Sequence, residues 1–250
     1  VASDPAATEA TIEITRIALA DDQAAADDLL AAIVVTVTAP TAEDNTLRIS
    51  APRPDAATGA TGDLQFSLED DELNVTGVLG SREVAIVRLR ITIPAGHEVE
   101  VTNENGAIRI VDLDAAGTLT GENTSIRSSD ATANITITTE NGAIDVEGHR
   151  ASLDAQTHNG HVSIEVRALA ADQHVTTQTD NGLIELHLPP DLDAALSAET
   201  ENGFVAFDRD DFDAADVAVQ TTRRVEATLN DGGPSVEVQT HNGMIEVDAD

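Results

Sequence analysis

Residues 239–250, QTHNGMIEVDAD, repeat a phrase already met at 156–166 as QTHNGHVSIEV. Looser versions stand at 138–146 (TTENGAIDV), 178–186 (QTDNGLIEL) and 200–207 (TENGFVAF). A phrase that returns at a near-fixed interval marks a repeat architecture. Asn-Gly occurs at Asn105-Gly106, Asn141-Gly142, Asn159-Gly160, Asn181-Gly182, Asn202-Gly203 and Asn242-Gly243. Two intervals are about double the rest, and each holds a degenerate copy: GENTSIRS around Asn123 and QTTRRVEA around Arg223. With these inserted, the steps are 18, 18, 18, 22, 21, 21 and 19 residues, which makes eight units.

Aligned on Asn, the units share apolar columns. Positions six and four before it hold Val99 and Val101, Ile135 and Ile137, Leu153 and Ala155, Leu196 and Ala198, Val236 and Val238. Positions three and five after it hold Ile108 and Ile110, Ile144 and Val146, Val162 and Ile164, Ile184 and Leu186, Val205 and Phe207, Ile245 and Val247. Alternation with period two on both sides reads as strand, Asn-Gly corner, strand. Gly tolerates positive φ and Asn bears it better than most residues, so the pair suits a corner. The same dipeptide also marks two-residue hairpins, and face parity permits them. A stack of hairpins has no use for a constant period or matched columns, whereas a solenoid buries each rung on its neighbours. The expectation is an all-β, single-chain β-solenoid of about 18–22 residues per rung. Its regular part is residues 96–250, one continuous domain.

The residue before Asn forms a further column: Glu104, Glu122, Glu140, His158, Asp180, Glu201, Thr222 and His241. Rungs about 4.8 Å apart would bring like charges close, at a cost of about 1 kcal/mol per pair in water. Such a ladder needs cations, a salt atmosphere or splayed side chains. The plain reading is a solvated corner that discourages sideways strand pairing; the sharper one is weak Ca²⁺ or monovalent-cation binding by carboxylates.

Composition narrows the function. The chain has 46 acidic and 13 basic residues, all of the latter Arg, for a net charge of −33. That disfavours nucleic acid and anionic membrane surfaces as partners. It suggests a surface suited to high salt, where screening relieves self-repulsion. There is no Cys, so disulfides and thiolate chemistry are excluded. No apolar run reaches the length of a membrane span. Four Phe with no Trp or Tyr leave an aliphatic core and little for aromatic stacking. The start, VASDPAATEA, fits a mature exported chain as well as a shortened one.

Residues 1–95 lack the Asn-Gly period and read as a capping region with degenerate opening rungs. TIEITRIAL is a strand with Ile12, Ile14 and Ile17 inward; Asp21 or Asp22 caps a short helix reaching Ala32. IVVTVTA, TLRIS, LQFSL, ELNVTG and EVAIVRLRITI are further strands, and APRPDAATGATG at 51–62 is a loop. At the other end the chain stops three residues after Val247. The expectation is therefore an uncovered C-terminal rung, inviting end-to-end contact with another copy.

Chemistry finds little purchase. His158 and His161 have the spacing of two metal ligands but no third at fixed distance. DRDDFDAAD at 208–216 is a carboxylate-rich loop, and NDGGPS at 230–235 is one turn rather than a calcium-binding array. No phosphate loop, nucleophile elbow or zinc-protease His pair is present. Catalytic, cofactor-binding and metal residues are accordingly expected to be none, and the chain is read as a non-enzyme.

The stretch VRLRITIPAGHEVEVTNENGAIRIVDLDAAGTLTG (87–121), with the repeats that follow, resembles the adhesin-like DUF4097 family. Their shared pattern is a strand ending in a Pro-Gly-like step, then recurring v-x-v-x-T-x-N-G-x-I-x-V. Residues 20–50 are similar to the lead-in of such proteins. The resemblance implies a right-handed β-helix-like coil and an adhesin-like label; the residues themselves suggest the short N-terminal helix as its cap. It implies no catalytic residues. Together these readings point to a secreted or cell-surface structural or adhesin-like protein, binding itself or a surface ligand. Alternatives are a head-to-tail filament subunit, a glycan-degrading β-helix and a cytoplasmic scaffold.

Overall fold

A computed structural model describes residues 1–4, 6, 10–20, 22–32, 35–38, 48–50, 65–69, 72–76 and 84–249. In chain order its elements are β1 (Ala2–Asp4), β2 (Thr11–Leu19), α1 (Gln23–Ala32), β3 (Thr36–Thr38), β4 (Arg48–Ser50), β5 (Gln65–Glu69), β6 (Glu72–Thr76) and β7 (Val84–Pro94). The repeats supply β8 (Val99–Val111), β9 (Gly117–Ser129), β10 (Ile135–Asn141), β11 (Ile144–His149), β12 (Leu153–Asn159), β13 (Val162–Val166), β14 (His174–Asn181) and β15 (Ile184–Leu188). Last come β16 (Ala194–Phe207), β17 (Ala215–Gln220), β18 (Arg224–Leu229) and β19 (Ser235–Ala249). Two compact units form: Val1–Ala10 with Thr92–Asp250, and Thr11–Ile91.

The first unit is the β-solenoid. Each rung has one strand before the Asn corner and one after it. The first is β8, the second β9, the third β10 with β11, the fourth β12 with β13, the fifth β14 with β15. Neighbouring rungs pair in parallel and in register, with corner on corner: Asn105↔Asn123, Asn141↔Asn159, Asn159↔Asn181. β9 and β19 run unbroken through their corners and so belong to both sheets. The pairing therefore closes into a ring of eight strands, β9-β10-β12-β14-β19-β15-β13-β11.

The apolar columns fill the space between the sheets. Ile110, Leu119, Ile137, Leu153, Ile144, Ile164, Ile184, Leu186, Val236 and Ile245 are all fully buried. Burying each such side chain contributes about 1.5–3 kcal/mol, which offsets the ordering of its rung.

Beyond the fifth rung, stacking order departs from chain order. β19 lies against the fifth rung on one side, through Val175↔Val236 and Ile184↔Ile245. On its other side it pairs in parallel with β16, from Ala195↔Ser235 to Phe207↔Val247. The expectation of an uncovered C-terminal rung is thereby corrected: that rung is interior, and Val247 is fully buried. Stacked in chain order, Asp180 and Glu201 would be neighbours; the inserted rung places His241 between them.

The Arg223 unit is also corrected, because it is no rung. β17 and β18 form an antiparallel hairpin, and β18 pairs antiparallel with the first half of β16. Its turn closes on Thr221, which donates its backbone N–H to Arg224 O at 2.8 Å. The turn also covers the corner of β16, through Thr200 N–H to Arg223 O and Val205 N–H to Thr222 O, both 2.9 Å. Over the second half of β16, Phe212 stacks on Phe207 at 5.5 Å. Residues 208–233 thus close this end of the stack.

In the second unit, Asp22 is the residue that caps α1, accepting the Ala25 N–H at 2.9 Å. β2 pairs with β7, and β3–β4 and β5–β6 are antiparallel pairs. Ile14 on β2 is exposed and Ile12 partly so, which corrects the inward reading of Ile14. Asp21, the side chain of Ile17 and the loop at 51–62 lie outside the described residues.

Candidate functional site at the asparagine corner

Seven asparagines line one edge of the solenoid, each with its side-chain amide on the next. Asn123 Nδ2 donates to Asn105 Oδ1 at 3.2 Å, Asn141 to Asn123 at 3.2 Å and Asn159 to Asn141 at 3.0 Å. The file continues with Asn181 to Asn159 at 2.9 Å, Asn242 to Asn181 at 3.0 Å and Asn202 to Asn242 at 3.1 Å. All six bonds run in one direction, so each amide polarises the next. The ladder follows stacking order, not chain order, and passes through Asn242 before Asn202.

The glycines after these asparagines have a different cause from the one the sequence suggested. Of the six, only Gly106 has a positive φ, +126°. The others are required by close approach. A Cβ on Gly160 would lie 2.0 Å from Gly142 O, on Gly182 1.8 Å from Gly160 O, and on Gly243 1.8 Å from Gly182 O. Backbone on backbone cannot yield, so from the third rung onward the column is closed to any side chain. In the Arg223 unit the residue at the glycine position is Arg224, whose side chain could not stand in such a layer.

Two residues before five of the seven Asn, sequence reasoning missed a buried file of Thr139, Thr157, Thr179, Thr200 and Thr240. Thr157 Oγ1 donates to Gly142 O and Thr200 Oγ1 to Gly243 O, both at 3.2 Å; Thr139 Oγ1 reaches Thr124 O at 3.0 Å. The recurring T-x-N-G was the available signal. In the second rung the phrase is inverted, Gly121-Glu-Asn-Thr124. There the fully buried Thr124 fills the corner and donates its hydroxyl to Asn103 O at 3.0 Å. A Cβ at Gly121 would meet Thr124 Cβ at 2.5 Å, so the swap needs both changes.

The column before Asn reads, in stacking order, Glu104, Glu122, Glu140, His158, Asp180, His241, Glu201. His158 Nδ1 lies 2.6 Å from Asp180 Oδ2, and His241 Nδ1 lies 3.2 Å from Glu201 Oε2. His161 does not join His158 on a common ligand; its Nε2 is 3.1 Å from Glu185 Oε2. His174 Nε2 similarly faces Asp154 at 3.4 Å. Four of the seven His therefore each face a carboxylate of an adjacent rung.

Arg127 spans the second and third rungs, bonding Glu147 and lying 3.5 Å from Asp145. Burial raises the Asp145 carboxyl above its ordinary 3.8; Arg127 opposes this, Glu147 adds to it, and His161 opposes it. His149 is fully buried, with Nε2 3.1 Å from Ser152 O and no partner for Nδ1 among the described residues. Burial pushes its pKa below 6.5 against the hydrogen bonds to Ser152 and Ala151 backbone. At the 208–216 segment, Asp208 Oδ1 accepts Asp210 N–H at 2.9 Å and so caps a short 3-10 turn. Beside Asn202 lies an open polar depression of about 520 Å³, lined by Glu199, Glu201, Thr221, Arg223 and Arg224 among others. Arg223 donates there to Glu201 O at 3.1 Å.

A family model described as Toastrack DUF4097 matches residues 33–248. No curated protein and no solved structure matches the chain.

Proposed function

The chain belongs to the Toastrack DUF4097 family, and we propose that it serves as a rigid, non-enzymatic module, secreted or held at the cell surface. One observation carries this reading. The ionisable groups best suited to chemistry, His158, His161, His174 and His241, are each set against a carboxylate of the adjacent rung. They fasten rungs together. Thr139, Thr157 and Thr200 and the asparagine amides do the same at the corner.

What such a body offers a partner is a long surface with fixed rows of side chains, here strongly acidic. The adhesin-like role is the reading that the family resemblance and this surface support, and a right-handed coil is the hand that resemblance suggests. Glu104, Glu122 and Glu140 stand in succession in the column with no basic residue between them, and we assign them a diffuse salt atmosphere.

Two measurements test the proposal. Fractionation with surface labelling of intact cells should place the protein outside; recovery only from the cytoplasm sinks the surface role. Incubation with neutral and acidic glycans, with and without Ca²⁺, should release no reducing ends; release sinks the non-enzymatic reading. The salt dependence is a further expected outcome. Raising KCl from about 0.1 M to about 1 M shortens the Debye length from about 10 Å to about 3 Å. Tm should rise across that range, and a flat response would remove salt adaptation from the account.

A further inference from the structure

The rung formed by β19 has an unusual history. The chain completes the fifth rung at Leu188, crosses five residues, and begins β16 at Ala194 one layer too far away. Between them remains a slot one rung thick, which β19 later fills. Parallel strands sit about 4.8 Å apart, so Pro189–Asp193 bridges about 9.6 Å.

The slot walls are held by contacts that do not involve β19. Asn230 Nδ2 donates to Leu192 O at 2.8 Å and to Pro190 O at 3.2 Å; Asp213 N–H reaches Pro190 O at 3.1 Å; Asp231 N–H reaches Asp193 Oδ1 at 3.0 Å. The lead into β19 is a hinge with positive φ at Asn230 (49°), Gly232 (72°) and Gly233 (154°), followed by Pro234. A Cβ on Gly233 would meet nothing closer than 3.5 Å, so the hinge turns at Gly233, between Asp231, held on Asp193, and Pro234, whose carbonyl accepts the Ala195 N–H at 2.9 Å. Short, conformationally constrained hinges before an end element favour exchange of that element between copies.

The slot also specifies its occupant. It demands apolar residues in four inward columns, filled by the fully buried Val236, Val238, Ile245 and Val247. It demands an Asn able to accept from Asn202 and donate to Asn181, then a residue without Cβ against Gly182 O. At the corner column it demands a residue that separates Asp180 from Glu201, met by His241. In this chain the only other segment with the phrase QTHNG, at 156–160, is committed to the fourth rung.

We infer that this slot is a strand-acceptor site and that residues 235–249 of a second copy of this chain can fill it, pairing two copies through reciprocal exchange. Reciprocal exchange closes on itself, unlike end-to-end addition.

The test uses unique cysteines, since the chain has none. Gln178 and Gln239 are exposed register partners across the slot. Full-length Gln178→Cys and Gln239→Cys chains are mixed, held at the urea midpoint, returned to buffer and oxidised mildly. A covalent heterodimer linked 178 to 239 should form at least several-fold above a control mixing Gln239→Cys with Thr118→Cys, an exposed position on a distant rung. Yield equal to the control overturns the inference. As a second arm, full-length Gly243→Ala, whose own strand is poorly seated, should bind a labelled peptide of residues 234–250 at least tenfold tighter than the unaltered chain. The same peptide carrying Gly243→Ala should not bind. Equal capture of both peptides would mean the slot is not being read, and overturns the site; the cysteine pair remains decisive if the variant fails to fold.

Discussion

From Gly117 to Leu188 the solenoid lays down rungs in the order the chain is written; from Ala194 to Ala249 it does not, although both regions use the same corner phrase. The difference separates two questions. Whether a segment becomes a rung is answered by its own residues: paired apolar columns, Thr, Asn, and a residue lacking Cβ. Which rung it lies against is answered by its surroundings. In the first region each connection delivers the chain to the next layer, Asn141 on Asn159 and Asn159 on Asn181. In the second, a five-residue bridge and the 208–233 hairpin hold a place open, and His241 settles between two carboxylates.

Substitutions matched across the two regions should break or sharpen this contrast. Gly160→Ala and Gly243→Ala should have the largest effect, each losing more than about 4 kcal/mol or abolishing folding, because a methyl cannot stand about 2 Å from a carbonyl oxygen. Denaturant midpoints would show it. Equal losses mean one packing rule governs both regions; tolerance at Gly243 alone would mean the out-of-order rung is loosely seated.

Asn181→Ala and Asn242→Ala each break two ladder bonds, for a loss of about 1–2 kcal/mol, whereas Asn105→Ala breaks one and should lose about half as much. If all three lose the same amount, the ladder is not acting as a connected file. Smaller still, His241→Glu would set three carboxylates in succession and cost about 1 kcal/mol at low ionic strength, largely recovered at about 1 M salt. His158→Glu provides the counterpart in the ordered region, and a loss that ignores salt in either would point to packing rather than charge.

The smallest effect concerns pH. The folded-state pKa of His149 is lowered from 6.5, so below 6.5 the unfolded chain binds the proton more readily. Its contribution is present above pH 6.5 and is lost as pH falls through 6.5 toward the folded value. The urea midpoint of the unaltered chain should drop between pH 7.5 and pH 5.5 by more than that of His149→Gln, which removes the titration. Parallel curves would show that the buried ring carries no such penalty.

Much of the corner was legible. The alternation around each Asn identified the inward columns, and seven of the eight units stand as rungs. The glycines were found for the wrong reason: positive φ is a property of one residue, but close approach belongs to two layers and is invisible until they are stacked. The Thr file escaped because hydroxyl residues in a turn suggest solvent, whereas here they are buried, and Thr139, Thr157 and Thr200 bond carbonyls of the adjacent rung. Arg223 matched the spacing without the chemistry: it stands where the other units have Asn, Arg224 stands where they need a residue lacking Cβ, and the segment forms a hairpin instead.

By itself the sequence determined the rung: strand periodicity, the corner and the aliphatic core follow from residues within some twenty positions of one another. Only the tertiary structure decided the order of the last rungs, the closed end and the pairing of His241 with Glu201. Rungs of one design offer nearly interchangeable edges, so the choice among them is made only when the whole stack is assembled with the hairpin that closes it.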